Sequence, residues 1–198
     1  MTPGQNPTFT VYTGPMFGGK TTALLSDIER FKLQKKHVVA FKPAVDDRYS
    51  DTEIVSHSGW RHAARTVKEG PDILQALADS EQSPDVVAVD EAFMVKGVAE
   101  VLIWLYRSGI SIIVSTLDLT YAGKAFHEVE KLLPWATYVK KCPAVCSECG
   151  RDAYYTHRKQ VDASEEEIEI GGAELYEPRC WRHIPFITAH IPDISRYT

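Results

Sequence analysis

The octapeptide GPMFGGKT at 14–21 constrains this chain more than any other stretch. It fits the pattern G-x-x-x-x-G-K-T, in which Gly14, Gly18 and Gly19 let the backbone curl until its N–H groups converge. A helix starting near Lys20 adds the positive end of its dipole, so the loop is an anion cradle suited to phosphates. Lys20 is placed to reach the terminal phosphates of a nucleotide and Thr21 to put its hydroxyl on Mg²⁺, with Met16 and Phe17 inside the loop. The surroundings agree: TFTVYT at 8–13 is a β-rich run leading in, and 22–35 reads as the helix leading out.

Further strand-like runs follow at 37–42 (HVVAFK), 85–90 (DVVAVD) and 111–116 (SIIVST), separated by helical patterns at 72–79 and 97–107. In the second helix Val98, Val101, Leu102 and Leu105 repeat at helical spacing. Continuous apolar strands between helices imply a parallel sheet covered on both faces. The expected class is therefore α/β, a P-loop NTPase of the RecA-like kind with its parallel sheet flanked by helices. Near Thr137 the chain becomes cysteine-bearing and short-stranded, which suggests a second unit too small to be stable without a staple. The expected division is an N-terminal arm at 1–7, an ATP-binding α/β domain at 8–138, a zinc-binding unit at 139–190 and a tail at 191–198. The polar segment 51–57 suggests a mobile flap.

Composition narrows the partners. Lys and Arg total 22 against 27 Asp and Glu, a net charge of −5, which is the wrong balance for a protein that binds by neutralising a nucleic-acid backbone. A local basic cluster at Arg179 and Arg182 is compatible with that balance, but free nucleotides and nucleosides fit it better. The apolar runs are strand-sized, and the opening MTPGQNP has neither the basic nor the apolar region of a secretion signal. A cytoplasmic protein without membrane contact is expected.

DVVAVDEA ends a buried strand with two carboxylates. Asp90 fits the position that holds Mg²⁺ directly or through water. Glu91, one residue further, is placed to face a γ-phosphate and take the proton from an attacking hydroxyl or water. The plainer alternative is that Glu91 caps the following helix.

Cys146 and Cys149 form a C-x₂-C knuckle, and Cys180 with His183 forms C-x₂-H. Two such pairs brought together make a closed tetrahedral zinc site, whose work is to fold the small unit. Cys142, which lacks knuckle spacing, is the alternative to His183 as fourth ligand.

Six motifs in order now resemble the type II, zinc-containing thymidine kinases: GPMFGGKT, DDRYS with SHSG, DEAFM, LDLTYAGKAF, AVCSEC and IGGAELYEPRCWRH. The resemblance runs from about Phe9 to His183. It implies transfer of a phosphoryl group from ATP to the 5′-hydroxyl of thymidine or deoxyuridine, in pyrimidine salvage for DNA synthesis. Glu91 would be the general base, Lys20, Thr21 and Asp90 would hold ATP phosphates and Mg²⁺, and Asp46 and Arg48 would organise the transfer site. Met16, Met94, Leu117, Tyr121 and Phe126 would wall the base pocket. Ile170, Gly171, Gly172 and Tyr176 would belong to a lasso loop, anchored by the zinc unit, that reads the base largely through its backbone. A homotetramer and feedback inhibition by dTTP are implied by the same resemblance.

Departures from the family pattern fall in the pocket wall. Phe93 and Met94 stand where a Gln and a Phe are usual, Leu119 where Gly is common, and Gly123 near an expected Arg. They bear on which pyrimidine is accepted, a modified deoxynucleoside being the alternative substrate. A P-loop ATPase with a nucleic-acid-binding zinc module is the reading from a different class.

Overall fold

In a computed structural model, residues 6–46, 52–159 and 171–188 are described. Arg48 and Ile170, the first five residues of the expected N-terminal arm and the whole of the tail lie outside them. The chain opens with strand β1 (Phe9–Thr13), helix α1 (Lys20–Leu33) and β2 (Val38–Pro43). A hairpin of β3 (Glu53–Val55) and β4 (Arg61–Ala63) precedes β5 (Arg65–Val67) and α2 (Gly70–Ala78). Then come β6 (Val86–Val89), α3 (Val98–Arg107), β7 (Ser111–Ser115), α4 (His127–Leu132) and β8 (Tyr138–Lys141). Four short strands follow, β9 (Ala144–Val145), β10 (Asp152–Ala153), β11 (Tyr155–Arg158) and β12 (Tyr176–Arg179), and a last turn of helix, α5 (Pro185–Thr188).

Six strands form one sheet in the order β5-β2-β6-β7-β1-β8, with every neighbouring pair parallel. Alternation along each strand sends its side chains to opposite faces. Phe9, Val11, Phe41, Val87, Val89, Ile112 and Val114 meet Ile73, Leu102 and Leu105 of α2 and α3 on one face. On the other, Tyr12, Ala40, Val86, Ala88 and Ile113 meet Leu24, Leu25, Ile28 and Phe31 of α1. The mixed α/β sandwich read from the apolar runs is thus present, a six-stranded parallel sheet flanked by helices. Helix α1 ends at Leu33 because the chain turns left-handed at Lys35, with φ 59°.

Two segments add to the sequence reading. Tyr138–Lys141 pairs in parallel with β1 and forms the sheet's edge, so the sheet extends across the expected boundary at residue 138. The described part of the polar stretch at 51–57, expected as a flap, contains strand β3, paired with β4. Its anchor is Ile54, 1% exposed and packed into the α1 face of the core.

The small unit consists of two antiparallel pairs, β9 with β10 and β11 with β12. Among the described residues its apolar cluster is Ala144, Cys146, Ala153 and Cys180, with Phe17 against it.

Helices α2 and α3 approach closely at one point. A Cβ on Gly70 would stand 2.3 Å from the carbonyl oxygen of Gly97. Gly70→Ala should therefore destabilise the fold by about 1–3 kcal/mol, read as a lower urea midpoint with unchanged slope. An unchanged midpoint would show that the helices separate without penalty.

Candidate active site and metal centre

Strand β1 feeds directly into the glycine-rich loop, and the loop's shape follows from its positive φ angles. Gly14 has φ 126°, Phe17 φ 65° and Gly19 φ 74°, after which α1 starts at Lys20. The loop amides and the start of α1 thus lie together, the arrangement that favours an anion. Lys20 is buried, and its Nζ donates to the Pro15 carbonyl at 2.7 Å. Burial lowers the pKa of its ammonium, while Glu91, Asp90 and Asp118 act in the opposite sense.

Asp90 leaves the C-terminal end of β6, and β7 separates that strand from β1. The carboxylate bridges the gap: Thr21 Oγ1 donates to Asp90 Oδ1 at 3.1 Å, and Ser115 Oγ at the end of β7 donates to the same oxygen. Burial foremost, then the adjacent Glu91, push Asp90 up to about 7, even though Ser115 and Thr21 hydrogen bonds favour its anion. Glu91 is left-handed, φ 48° and ψ 45°, a conformation costly for a non-glycine residue. It occupies the N-cap position of the 3₁₀ turn Ala92–Met94 without a side-chain cap hydrogen bond, so capping does not explain it.

A cavity of about 650 Å³ joins these parts. Met16 to Thr22 line one side, Asp46, Asp90 and Glu91 another, and Val55 and His57 of the hairpin a third. Gly171, Gly172, Ala173 and Glu174 close it from the small unit. The Gly172 N–H donates to Glu174 Oε1 at 2.5 Å, and Lys159 Nζ holds the Ala173 carbonyl at 2.6 Å. The structure therefore brings the phosphate loop, the acidic pair, Asp46 and the double glycine to one place.

Cys146, Cys149, Cys180 and His183 converge as well, with one ligand atom of each within 4.8 Å of all the others. Cys149 Sγ to Cys180 Sγ is 3.7 Å, Cys180 Sγ to His183 Nδ1 3.4 Å and Cys146 Sγ to His183 Nδ1 3.6 Å. These match the edges of a tetrahedron with metal–sulfur bonds of about 2.3 Å and a metal–nitrogen bond of about 2.0 Å. Burial works against the Cys146 anion, but hydrogen bonds from His183 and from the backbone of Cys180, Glu148 and Cys149 outweigh it and hold the thiol down at about 6. The cluster could hold a zinc ion. Cys142 is not part of it: its thiol meets the Lys140 carbonyl at 3.8 Å and packs with the α1 core.

The model of the thymidine kinase family matches residues 7–184. The chain belongs to that family. It is accordingly a nucleoside kinase enzyme. Among the described residues, no helix is long and apolar enough to cross a membrane.

The residues expected to wall a thymidine kinase's base pocket divide into groups. Met94, Leu117 and Phe126 share one apolar cluster with Phe93, whose ring lies 4.6 Å from that of Phe126. Phe93 is buried, so the apolar residue in place of the usual Gln serves packing. Met16 lines the cavity itself. Tyr121 lies beneath the Arg158 guanidinium at 5.3 Å, and Tyr176 is buried opposite Arg158 in β12.

Several residues at the site escape a reading of motifs. Ser115 was hidden in a strand; only the order of β6, β7 and β1 shows that its hydroxyl meets Asp90. Thr156 accepts the Met16 N–H at 3.1 Å from the far side of the chain, and no local signal announces it. Glu174 lies within a noted motif, but its contact with Gly172 is a matter of loop geometry.

Metal content separates the candidate ligands. The purified chain should carry one equivalent of zinc by elemental analysis, Cys142→Ser should keep it, and Cys180→Ser or His183→Ala should lose most of it and melt at a lower temperature. Loss of zinc in Cys142→Ser with retention in His183→Ala would move the fourth ligand to Cys142.

Proposed function

We propose that the chain is an ATP-dependent kinase of P-loop NTPase fold, RecA-like in its sheet, that phosphorylates the 5′-hydroxyl of thymidine and deoxyuridine. The observation that carries this reading is the single cavity in which Lys20, Thr21, Asp90 and Glu91 face Gly171 and Gly172. A site built only to hydrolyse ATP needs the first four; the double glycine supplies backbone groups for a second substrate.

The proposed roles follow from position. The loop amides at 14–20 and the Lys20 ammonium bind the donor phosphates and stabilise charge on the transferring group. Thr21, Asp90 and Asp46 would hold Mg²⁺; Asp90 and Thr21 already share a hydrogen bond, and the oxygen-rich donor set suits a hard cation. When bound, the ion supplies neutralisation of phosphate charge. Glu91 takes the proton from the 5′-hydroxyl, which it can reach because its backbone turns it into the cavity instead of onto a helix end. Gly171 to Glu174 cover the acceptor and exclude water that would otherwise compete for the phosphoryl group. Zinc at the four-residue cluster is structural, since all four tetrahedral positions have a protein ligand. Cytoplasmic pyrimidine salvage, a tetrameric assembly and inhibition by dTTP are the biological setting that accompanies this reading. Met94, standing where the family usually has a Phe, gives a softer wall beside Phe93 and Phe126, which is why modified pyrimidine deoxynucleosides belong among the substrates tested.

Incubation with ATP, Mg²⁺ and a panel of deoxynucleosides should yield thymidine and deoxyuridine monophosphates. ADP and inorganic phosphate formed at the same rate with no nucleoside present would sink the kinase reading. Glu91→Ala should lower kcat about 10²-fold or more while ADP affinity is retained; undiminished turnover would remove Glu91 as base. Because Asp90 must be ionised to hold a cation, Mg²⁺ affinity should fall as pH drops below about 7, approaching tenfold per unit. An affinity flat between about pH 8 and pH 6 would mean that Asp90 does not bind the ion.

A further inference from the structure

The phosphate loop is seated on the small metal-bearing unit as well as on the sheet. Phe17 packs against Ala144, Cys146, Ala153 and Cys180, the unit's apolar cluster among the described residues, two of whose members belong to the candidate metal cluster. On its other side it meets the His57 ring, with centroids 5.6 Å apart. Phe17 does this at φ 65°, a left-handed conformation that costs an ordinary residue about 1 kcal/mol and that Gly or Asn would adopt more easily. The side chain must therefore return more than its backbone gives up.

Two further contacts lie on the same boundary. The Met16 N–H donates to the hydroxyl of Thr156, a buried residue of β11. The Cys142 carbonyl, where the chain leaves the sheet for the small unit, stands 2.4 Å and 2.6 Å from the points where a Cβ on Gly14 and Gly18 would be. Those two glycines thus make room for the incoming chain as well as shaping the cradle. The loop's amides must converge with hydrogen-bond accuracy, and one of the two bodies holding them is a unit that depends on a metal for its rigidity.

We propose that Phe17 is a positioning residue for the phosphate donor, locking the curvature of the loop at 14–19 onto the metal-bearing unit, so that the metal governs affinity for ATP and not only the loop at 171–176. The proposal rests on the reading of the cavity as a nucleotide site. It assigns the small unit a second role: its core is the floor of the donor half.

The test is a cycle of ADP affinities, measured by calorimetric titration of the full chain with and without prior removal of zinc by a zinc-selective chelator. Phe17→Asn is the variant of choice, since Asn accepts the left-handed backbone and removes only the packing. Stripping the wild-type chain should weaken ADP about tenfold, within the usual range for coupled sites. Zinc-loaded Phe17→Asn should lose a similar factor, and stripping the variant should add less than about twofold. Thr156→Val, which removes the acceptor for Met16 without touching the loop, should weaken ADP in the same direction. Unchanged ADP affinity in the stripped wild-type chain would overturn the proposal. So would losses that multiply, since they would mean that Phe17 acts by touching the nucleotide independently of the metal. Failure of the zinc-loaded wild-type chain to bind ADP would instead overturn the nucleotide reading, and this proposal with it.

Discussion

The convergence of backbone amides between the end of β1 and the start of α1 is the constraint on which the rest of the site depends. It needs φ angles that only Gly14 and Gly19 adopt freely, and one that Phe17 adopts under strain. It also needs support from beneath, because a loop of this kind has no core of its own. The parallel sheet supplies one support: Thr21 at the first turn of α1 is tied to Asp90, and Asp90 to Ser115, so that β6, β7 and α1 meet at one carboxylate. The chain passing from β8 into the small unit supplies the other.

The small unit is a clamp with two jaws. One jaw is Thr156, Cys142 and the cluster of Ala144, Cys146, Ala153 and Cys180, which meet Met16, Gly14, Gly18 and Phe17 of the loop. The other grips the segment 117–126. Phe186 lies where a side chain on Gly123 would be, with ring carbons 2.9 Å from the missing Cβ, and Tyr155 meets Phe186 edge-on at 5.5 Å. Arg158 covers Tyr121, and Lys141 pairs with the largely buried Asp118 at 2.8 Å. A Cβ at position 123 would collide with Phe186, a ring that follows the candidate metal cluster in the chain. Packing decides this arrangement more than charge does, since partly exposed ion pairs are worth only about 0–1 kcal/mol.

The sheet was legible because its strands are uninterrupted apolar runs, as DVVAVD and SIIVST are, and buried parallel strands require that. The glycine-rich loop and the helix after it were legible because the residues that shape them are consecutive. The metal cluster was legible in its two C-x₂ pairs, although the choice between His183 and Cys142 depended on where Cys142 sits beneath α1. Contacts between distant segments were not legible: nothing local in Thr156, Ser115 or Phe186 announces its partner. The edge strand at 138–141 was missed for a related reason. Its four residues are all exposed on their side chains, so the apolar run that marks the inner strands is lacking, and only pairing with β1 places it in the sheet.

In the proposed function the donor and acceptor sites are two halves of one cavity, with the acidic pair between them. Competition binding with adenosine and thymidine joined 5′ to 5′ through four phosphates tests this most directly. One molecule per chain should displace both ADP and thymidine, and bind more tightly than either. Displacement of ADP alone, with thymidine still bound, would place the two sites apart and contradict the account.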